Sequence, residues 1–309
     1  MLNSARDFKA VKYHLLFALL LSFSTSLSTK AQQPDDDDVV RVNTDLVVVN
    51  VTVTDAAGKY ARGLHGADFK VMEDGHEQKI SNFTAEETPF AAVVLLDFSG
   101  SMENRVSLAR SAAIHFLDGL RDEDVAAVYR FDSEVEQLQD FSPSHDLADI
   151  TFGMHAKGMT VLNDAILKAA NDLSTRPEKR RAIVVLSDGY DTRSSASMDK
   201  ALSAALSAGV TIYTVDMSGP DTPAQERAQA VGALQNFAKK SGGRYVSTPG
   251  GQALREAFNG IVQELGNQYT ISYRPSNTAR DGRWREIEVK LSRPDLTARA
   301  RKGYRAPKG

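Results

Sequence analysis

Six apolar residues in a row, Ala91 to Leu96, end abruptly at a carboxylate, Asp97. A run this short reads as a strand, and a strand without a polar face has to be covered on both sides. Val125 to Phe131 reads as a strand as well, and Ala182 to Leu186 and Val210 to Val215 are two further β-rich apolar runs. Helical patterns separate them. Ala109, Ala113, Phe116 and Leu120 fall at helical spacing, as does Leu162 to Leu173, and helices are predicted at Met198 to Ser207, Thr222 to Lys240 and Gln252 to Leu265. Such alternation predicts an α/β, doubly wound, mostly parallel sheet wrapped by helices. In open sheets of this kind ligands bind beyond the carboxyl ends of the strands, near a switch in strand order.

The flanks have a different rhythm. Val47, Val49, Val51 and Val53 alternate with Val48, Asn50, Thr52 and Thr54, the period of a strand buried mainly on one face. Phe69 to Met72 and His76 to Ile80 flank Asp74-Gly75, a dipeptide suited to a tight hairpin. After residue 268 the β pattern returns at Tyr269 to Tyr273, Trp284 to Leu291 and Leu296 to Tyr304. Each flank is too small to bury much core alone, and a chain with no Cys has no disulfide staples. The expectation is therefore a β-sandwich-like module in which 268–309 packs with 40–88, with an α/β domain over 89–267 inserted between them.

Arg6, Lys9 and Lys12 followed by the apolar stretch Leu15 to Leu21 and a small, polar run to Thr29 predict a signal peptide over 1–31, cleaved after Ala31. The stretch is far short of the roughly 20 residues that span a bilayer, so no stable span is expected after cleavage. The protein is then exported: periplasmic, at the cell surface or secreted. Asp35 to Asp38, within residues 32–39, read as a solvated acidic linker. Formal net charge is −3 over the whole chain; losing Arg6, Lys9, Lys12 and Lys30 with Asp7 removes a net +3 and leaves about −6. An acidic chain is a poor match to nucleic acid. Without Cys, any metal is held by oxygen or imidazole.

At the end of the first core strand, Asp97, Ser99 and Ser101 place a carboxylate and two hydroxyls at alternating positions where strand gives way to loop. Gly100 allows the bend that turns both hydroxyls inward, and Asn104 to Leu120 is predicted to be a helix. Hydroxyls combined with carboxylates and water suit a small hard cation such as Mg²⁺. Two later loops offer matching oxygens, Gly158-Met159-Thr160 before a helix and Ser187-Asp188-Gly189 at the end of a strand. Asp132 and Ser133 read as a turn, Asp164 as a structural carboxylate at a helix start, and Asp191 and Thr192 as either support for the site or a helix cap.

DFSGS, the Thr before the Asp164 to Ile166 helix start, and LSDG, in this order and spacing, resemble the metal-ion-dependent adhesion site of the von Willebrand factor type A (vWA) family. The resemblance covers about residues 88–268. DFKVMEDG before it, and QYTISYRP with a KGYRAP end after it, are similar to the flanks of exported bacterial vWA-related proteins. It implies a Rossmann-like sheet in which Ser99 and Ser101 bind Mg²⁺, or Mn²⁺ or Ca²⁺, directly. Asp97 and Asp188 act directly or through water, and Thr160 joins or leaves as the site changes state. It also implies a protein partner that supplies an Asp or Glu carboxylate. Met159 departs from the family's frequent Gly before the Thr, which makes Thr160 the ligand most open to alteration.

Three functions are compatible with these residues. The first is a non-enzymatic adhesion or interaction module that recognises a partner carboxylate through the cation. The second is a Mg²⁺-dependent, phosphatase-like hydrolase with Asp97 as nucleophile and Lys157 as phosphate holder; it lacks a second carboxylate at 99 or 101 to serve as acid or base. His115 and His155 have no Ser-Asp arrangement evident around them. The third is a metal-independent scaffold that binds through its β module.

Overall fold

A computed structural model describes residues 46–85, 88–143, 159–219, 224–248 and 250–309. The expected signal segment, the acidic run Asp35 to Asp38, His155, Lys157 and Gly158 lie outside the described residues.

The apolar run becomes β5 (Phe90–Asp97), every residue of which is buried. Its neighbours explain why it has no polar face. β5 pairs in parallel with β6 (Val125–Phe131) on one side and with β8 (Arg180–Ser187) on the other, and β9 (Val210–Asp216) and β10 (Tyr245–Ser247) continue the sheet beyond β8. Only β7 (Val135–Ser142), on the far edge beside β6, runs antiparallel. The strand order is β10-β9-β8-β5-β6-β7. Phe90, Ala92, Val94 and Leu96 enter one core with α1 (Val106–Asp118) and α5 (Gly251–Gly266). Ala91, Val93 and Leu95 enter a second core with α2 (Leu162–Ser174), α3 (Met198–Ser207) and α4 (Ala224–Ser241). Successive side chains of a strand point to opposite faces, so a strand between two helical layers is apolar at every position. Each such Val or Leu contributes about 1.5–3 kcal/mol by burial.

The flanking strands form two four-stranded sheets. β1 (Val47–Asp55) pairs antiparallel with β11 (Tyr269–Tyr273) and β13 (Leu296–Ala300), and β4 (Ile80–Thr84) completes the order β13-β1-β11-β4. The second sheet, β14-β12-β2-β3, joins β2 (Phe69–Glu73) and β3 (His76–Gln78) to β12 (Trp284–Leu291) and β14 (Gly303–Arg305). Val49, Val51, Val53, Val71, Tyr269 and Ile271 are fully buried in the cluster between them. Asp74 and Gly75 both have positive φ, 47° and 81°, which is the tight-turn geometry their sequence predicts.

The structure departs from the sequence expectations in several places. The helix expected from Asn104 begins as a tight 3-10 turn, Gly100–Arg105, pinned by buried Met102, and becomes α-helical only at Val106. Leu296 to Tyr304 is two strands, because at Lys302 the chain changes sheets: its N–H donates to Lys240 O while its carbonyl accepts from Ile287 N. β7 has no matching expectation, since Val135, Leu138 and Phe141 recur at helix-like spacing and two register shifts against β6 break the strict alternation of a strand. Among the described residues no helix is long and apolar enough to cross a membrane.

Candidate metal centre

The order of strands reverses at β5. The connection leaving β5 runs through α1 to β6 on one side, whereas the one leaving β8 runs through α3 to β9 on the other, so the loops after β5 and β8 diverge and leave a crevice between them. Asp97 is the last residue of β5, and Asp188 directly follows Ser187, the last of β8.

Asp97 is fully buried, and both of its oxygens are engaged: Oδ1 accepts from Ser99 N at 2.9 Å, and Oδ2 accepts from Ser187 Oγ at 2.5 Å. The Ser187 hydroxyl in turn accepts from Gly189 N at 2.9 Å. Ser99 is also fully buried, and its hydroxyl lies 3.1 Å from that of Ser101. Ser101 is exposed at the crevice and hydrogen bonds to the Asp188 carboxylate, itself buried. Four of the five expected ligands therefore form one connected group. Gly189, at φ 85°, is what lets the loop pass α4: a Cβ there would stand 2.6 Å from Ala230 O.

Burial raises the Asp97 carboxyl to about 7, and the neighbouring Asp188 charge adds to it, against hydrogen bonds from Ser187 and Ser99 that favour the ion. Asp188 is also held above its ordinary range, by burial first and the Asp216 charge in addition, opposed by Ser101 and the Tyr190 N–H. Neither carboxylate has an ion pair with Lys or Arg among the described residues. Two buried like charges without a counter-charge are a costly arrangement, and a cation between them relieves it. The hydroxyl spacing fits as well, since adjacent ligands about 2.1 Å from an octahedral Mg²⁺ stand about 3 Å apart.

Thr160 is placed differently. It is buried just before α2, and its backbone is stitched to the loop after Asp188: its N–H donates to Thr192 Oγ1 at 2.9 Å, and its carbonyl accepts from Thr192 N and Arg193 N. Its own hydroxyl makes no hydrogen bond among the described residues, to the other four or otherwise. Asp164 is structural, accepting from Ser195 N and Ala196 N at 2.8 Å each. Asp191 accepts from Asn163 N in the first turn of α2, capping that helix from a different loop. Asp132 forms the expected turn, accepting from Glu134 N. Among the described residues no group of three or more His, Asp or Glu is placed to hold an ion.

Asp216 is absent from the sequence expectations. It ends β9 fully buried, accepting from Ser218 N at 2.8 Å and from Tyr245 OH at 2.8 Å. The signal was present: Asp216-Met-Ser218-Gly219 repeats the strand-ending pattern Asp97-Phe-Ser99-Gly100, and both Asp residues accept from the N–H two residues on. Tyr245 and Ser247 on β10 occupy its second oxygen.

Residues 70–239 match the family described as VWA domain containing CoxE-like protein. No curated protein matches the chain. Among solved structures, an aerotolerance-related membrane protein from Bacteroides fragilis is 19% identical, with 57% of this chain and 98% of that one covered at a TM-score of 0.48. A von Willebrand factor type A protein from Catenulispora acidiphila is 13% identical over 78% of this chain and 74% of that one, TM-score 0.48. The vWF domain of the type V pili tip protein Mfa5 from Porphyromonas gingivalis is 14% identical over 57% and 95%, TM-score 0.48. With its family match extending over more than half of its length, the chain belongs to the VWA domain containing CoxE-like family.

Proposed function

We propose that this protein is an exported, non-enzymatic interaction module that recognises an acidic side chain of a protein partner through a divalent cation. The observation that carries the reading is the buried pair Asp97 and Asp188, without a cationic side chain beside them among the described residues and flanked by two hydroxyls at ligand spacing. Ser99 and Ser101 are the direct ligands. Asp97 supplies charge and, with both oxygens engaged by Ser99 N and Ser187 Oγ, acts through water, while Asp188 orients Ser101 and adds the second charge. Thr160 contributes its uncommitted hydroxyl. Bound Mg²⁺ or Mn²⁺ supplies a positive centre that two protein carboxylates leave roughly neutral and short of ligands, so that a carboxylate from outside is welcome. The acidic net charge argues against nucleic acid as the partner. Residues 1–31 are the proposed export signal, and the periplasm, the cell surface or the medium the proposed location.

The test is calorimetric titration of Mg²⁺ and Mn²⁺ into metal-stripped protein, alone and with acetate, for wild type and Asp97→Ala. One-site binding that tightens with acetate and disappears in the variant is the expected result. Absence of binding in the folded wild type overturns the reading.

A further inference from the structure

The loop before α2 and the loop after Asp188, which meet through Thr160 and Thr192, carry two side chains that metal contact alone does not use. Met159 is 50% exposed, one of three exposed large apolar side chains among the described residues. Arg193 is exposed beside it, with Nη1 3.9 Å from the Met159 sulfur and no carboxylate partner among the described residues. Arg105 and Arg130, by contrast, are already engaged: Arg105 donates to Met217 O, and Arg130 is paired with Glu136 and Asp132. The two loops that carry Met159 and Arg193 are tied to each other through their backbones. Thr192 N and Arg193 N donate to Thr160 O at 3.0 and 3.1 Å, Thr160 N returns to Thr192 Oγ1, and Asp191 and Asp164 anchor the rest of that loop to the start of α2. The loop backbones are therefore largely ordered before a partner arrives, and the side chains alone remain to be fixed.

We propose that Met159 and Arg193 form a selectivity rim that reads the residues flanking the partner's metal-directed carboxylate. It favours a protein segment with a second acidic side chain, for Arg193, and an apolar one, for Met159. The inference rests on the metal reading above. Its charge argument is that a guanidinium with no carboxylate partner among the described residues, weakly hydrated and planar, is matched by a carboxylate. Its apolar argument is that an exposed thioether adapts to whichever apolar side chain covers it.

Three immobilised peptides test it: one aspartate among glycines, the same with glutamate and leucine beside the aspartate, and the latter with lysine replacing glutamate. Binding of wild type, Arg193→Glu and Met159→Ser is measured in Mn²⁺ and in chelator, with Mn²⁺ affinity followed separately by calorimetry. Wild type is expected to bind the glutamate-leucine peptide about tenfold more tightly than the plain one. Arg193→Glu is expected to switch its preference to lysine, and Met159→Ser to lose most of the leucine contribution, both with unchanged Mn²⁺ affinity. Identical peptide preferences in all three proteins, with Mn²⁺ still bound, overturn the rim and leave the metal centre standing. Failure of wild type to bind Mn²⁺, or peptide binding indifferent to chelator, overturns the metal reading and the rim together.

Discussion

Two sets of buried carboxylates in this molecule are treated in opposite ways. Glu264, on α5, is nearly fully buried, and its Oε1 accepts from Tyr213 OH at 2.7 Å, Thr52 Oγ1 at 3.3 Å and Arg299 Nη2 at 2.5 Å. Those partners come from β9, β1 and β13, so one charge joins the helix to strands from both flanks of the chain. Asp97 and Asp188 face each other's charge with hydroxyls and backbone N–H groups alone. A carboxylate that is fully compensated from within holds a structure together, whereas one left short of positive charge is a place for something to bind.

The contrast predicts effects of different kind and size. Glu264→Ala strands Arg299 and removes the acceptor of Tyr213; it is expected to lower unfolding free energy by about 3 kcal/mol, the low end for a broken buried pair because Arg299 is a third exposed. Denaturant melts check this, and Mn²⁺ affinity at temperatures where the variant is folded should not change. A loss of Mn²⁺ binding as large as that of Asp97→Ala would break the separation between the two sets.

Asp97→Asn is expected to act in the opposite direction on the metal-free protein. The folded-state pKa of Asp97, about 7, lies above the unfolded value of about 3.9, so the folded state binds this proton more tightly. Its contribution to stability is therefore present below pH 4, is lost as pH rises through about 7, and stays lost above. Metal-free Asp97→Asn should be the more stable protein at pH 8, and the difference should vanish toward pH 4. Saturating Mn²⁺ should reverse the order at pH 8 by stabilising wild type alone. A wild type more stable than the variant at pH 8 without metal would show that internal hydrogen bonds already compensate the pair.

Ser187→Ala is expected to have the smallest effect. It removes the donor to Asp97 Oδ2 and the acceptor of Gly189 N, which should weaken Mn²⁺ binding about tenfold and stability by about 1 kcal/mol. Ser187→Thr, which keeps the hydroxyl, should restore the affinity. Unchanged affinity in the alanine variant would mean that Asp97 is oriented by Ser99 N alone.

Much of this site was legible because its residues sit at strand ends, and strand ends were legible from the apolar runs. Ala91 to Leu96 located β5, hence Asp97, and the spacing of Ser99 and Ser101 followed from chain geometry. Asp188 was found in the same way from Ala182 to Leu186. Ser187 was not singled out, because a serine closing a strand is ordinary until its hydroxyl is seen between Asp97 and Gly189 N. Arg180 was hidden for a similar reason. It opens β8 fully buried and donates to Leu265 O, Gln268 O and Thr88 O, a set of carbonyls drawn from two distant parts of the chain.

The sequence by itself determined the local preferences: which stretches are strand or helix, where a covered strand stops at a carboxylate, and which turns need positive φ. These follow from the periodicity of side chains along one segment, a property of neighbours in the chain. Tertiary structure alone decided which strand ends meet. The order β8-β5-β6 puts Asp188 against Asp97 rather than apart, β10 engages the second oxygen of Asp216 through Tyr245 and Ser247, and Glu264 finds Arg299 across strands that no local pattern pairs. Long-range pairing is set by the simultaneous packing of all faces, and the charges buried there acquire their properties only once the neighbours that desolvate or compensate them are in place.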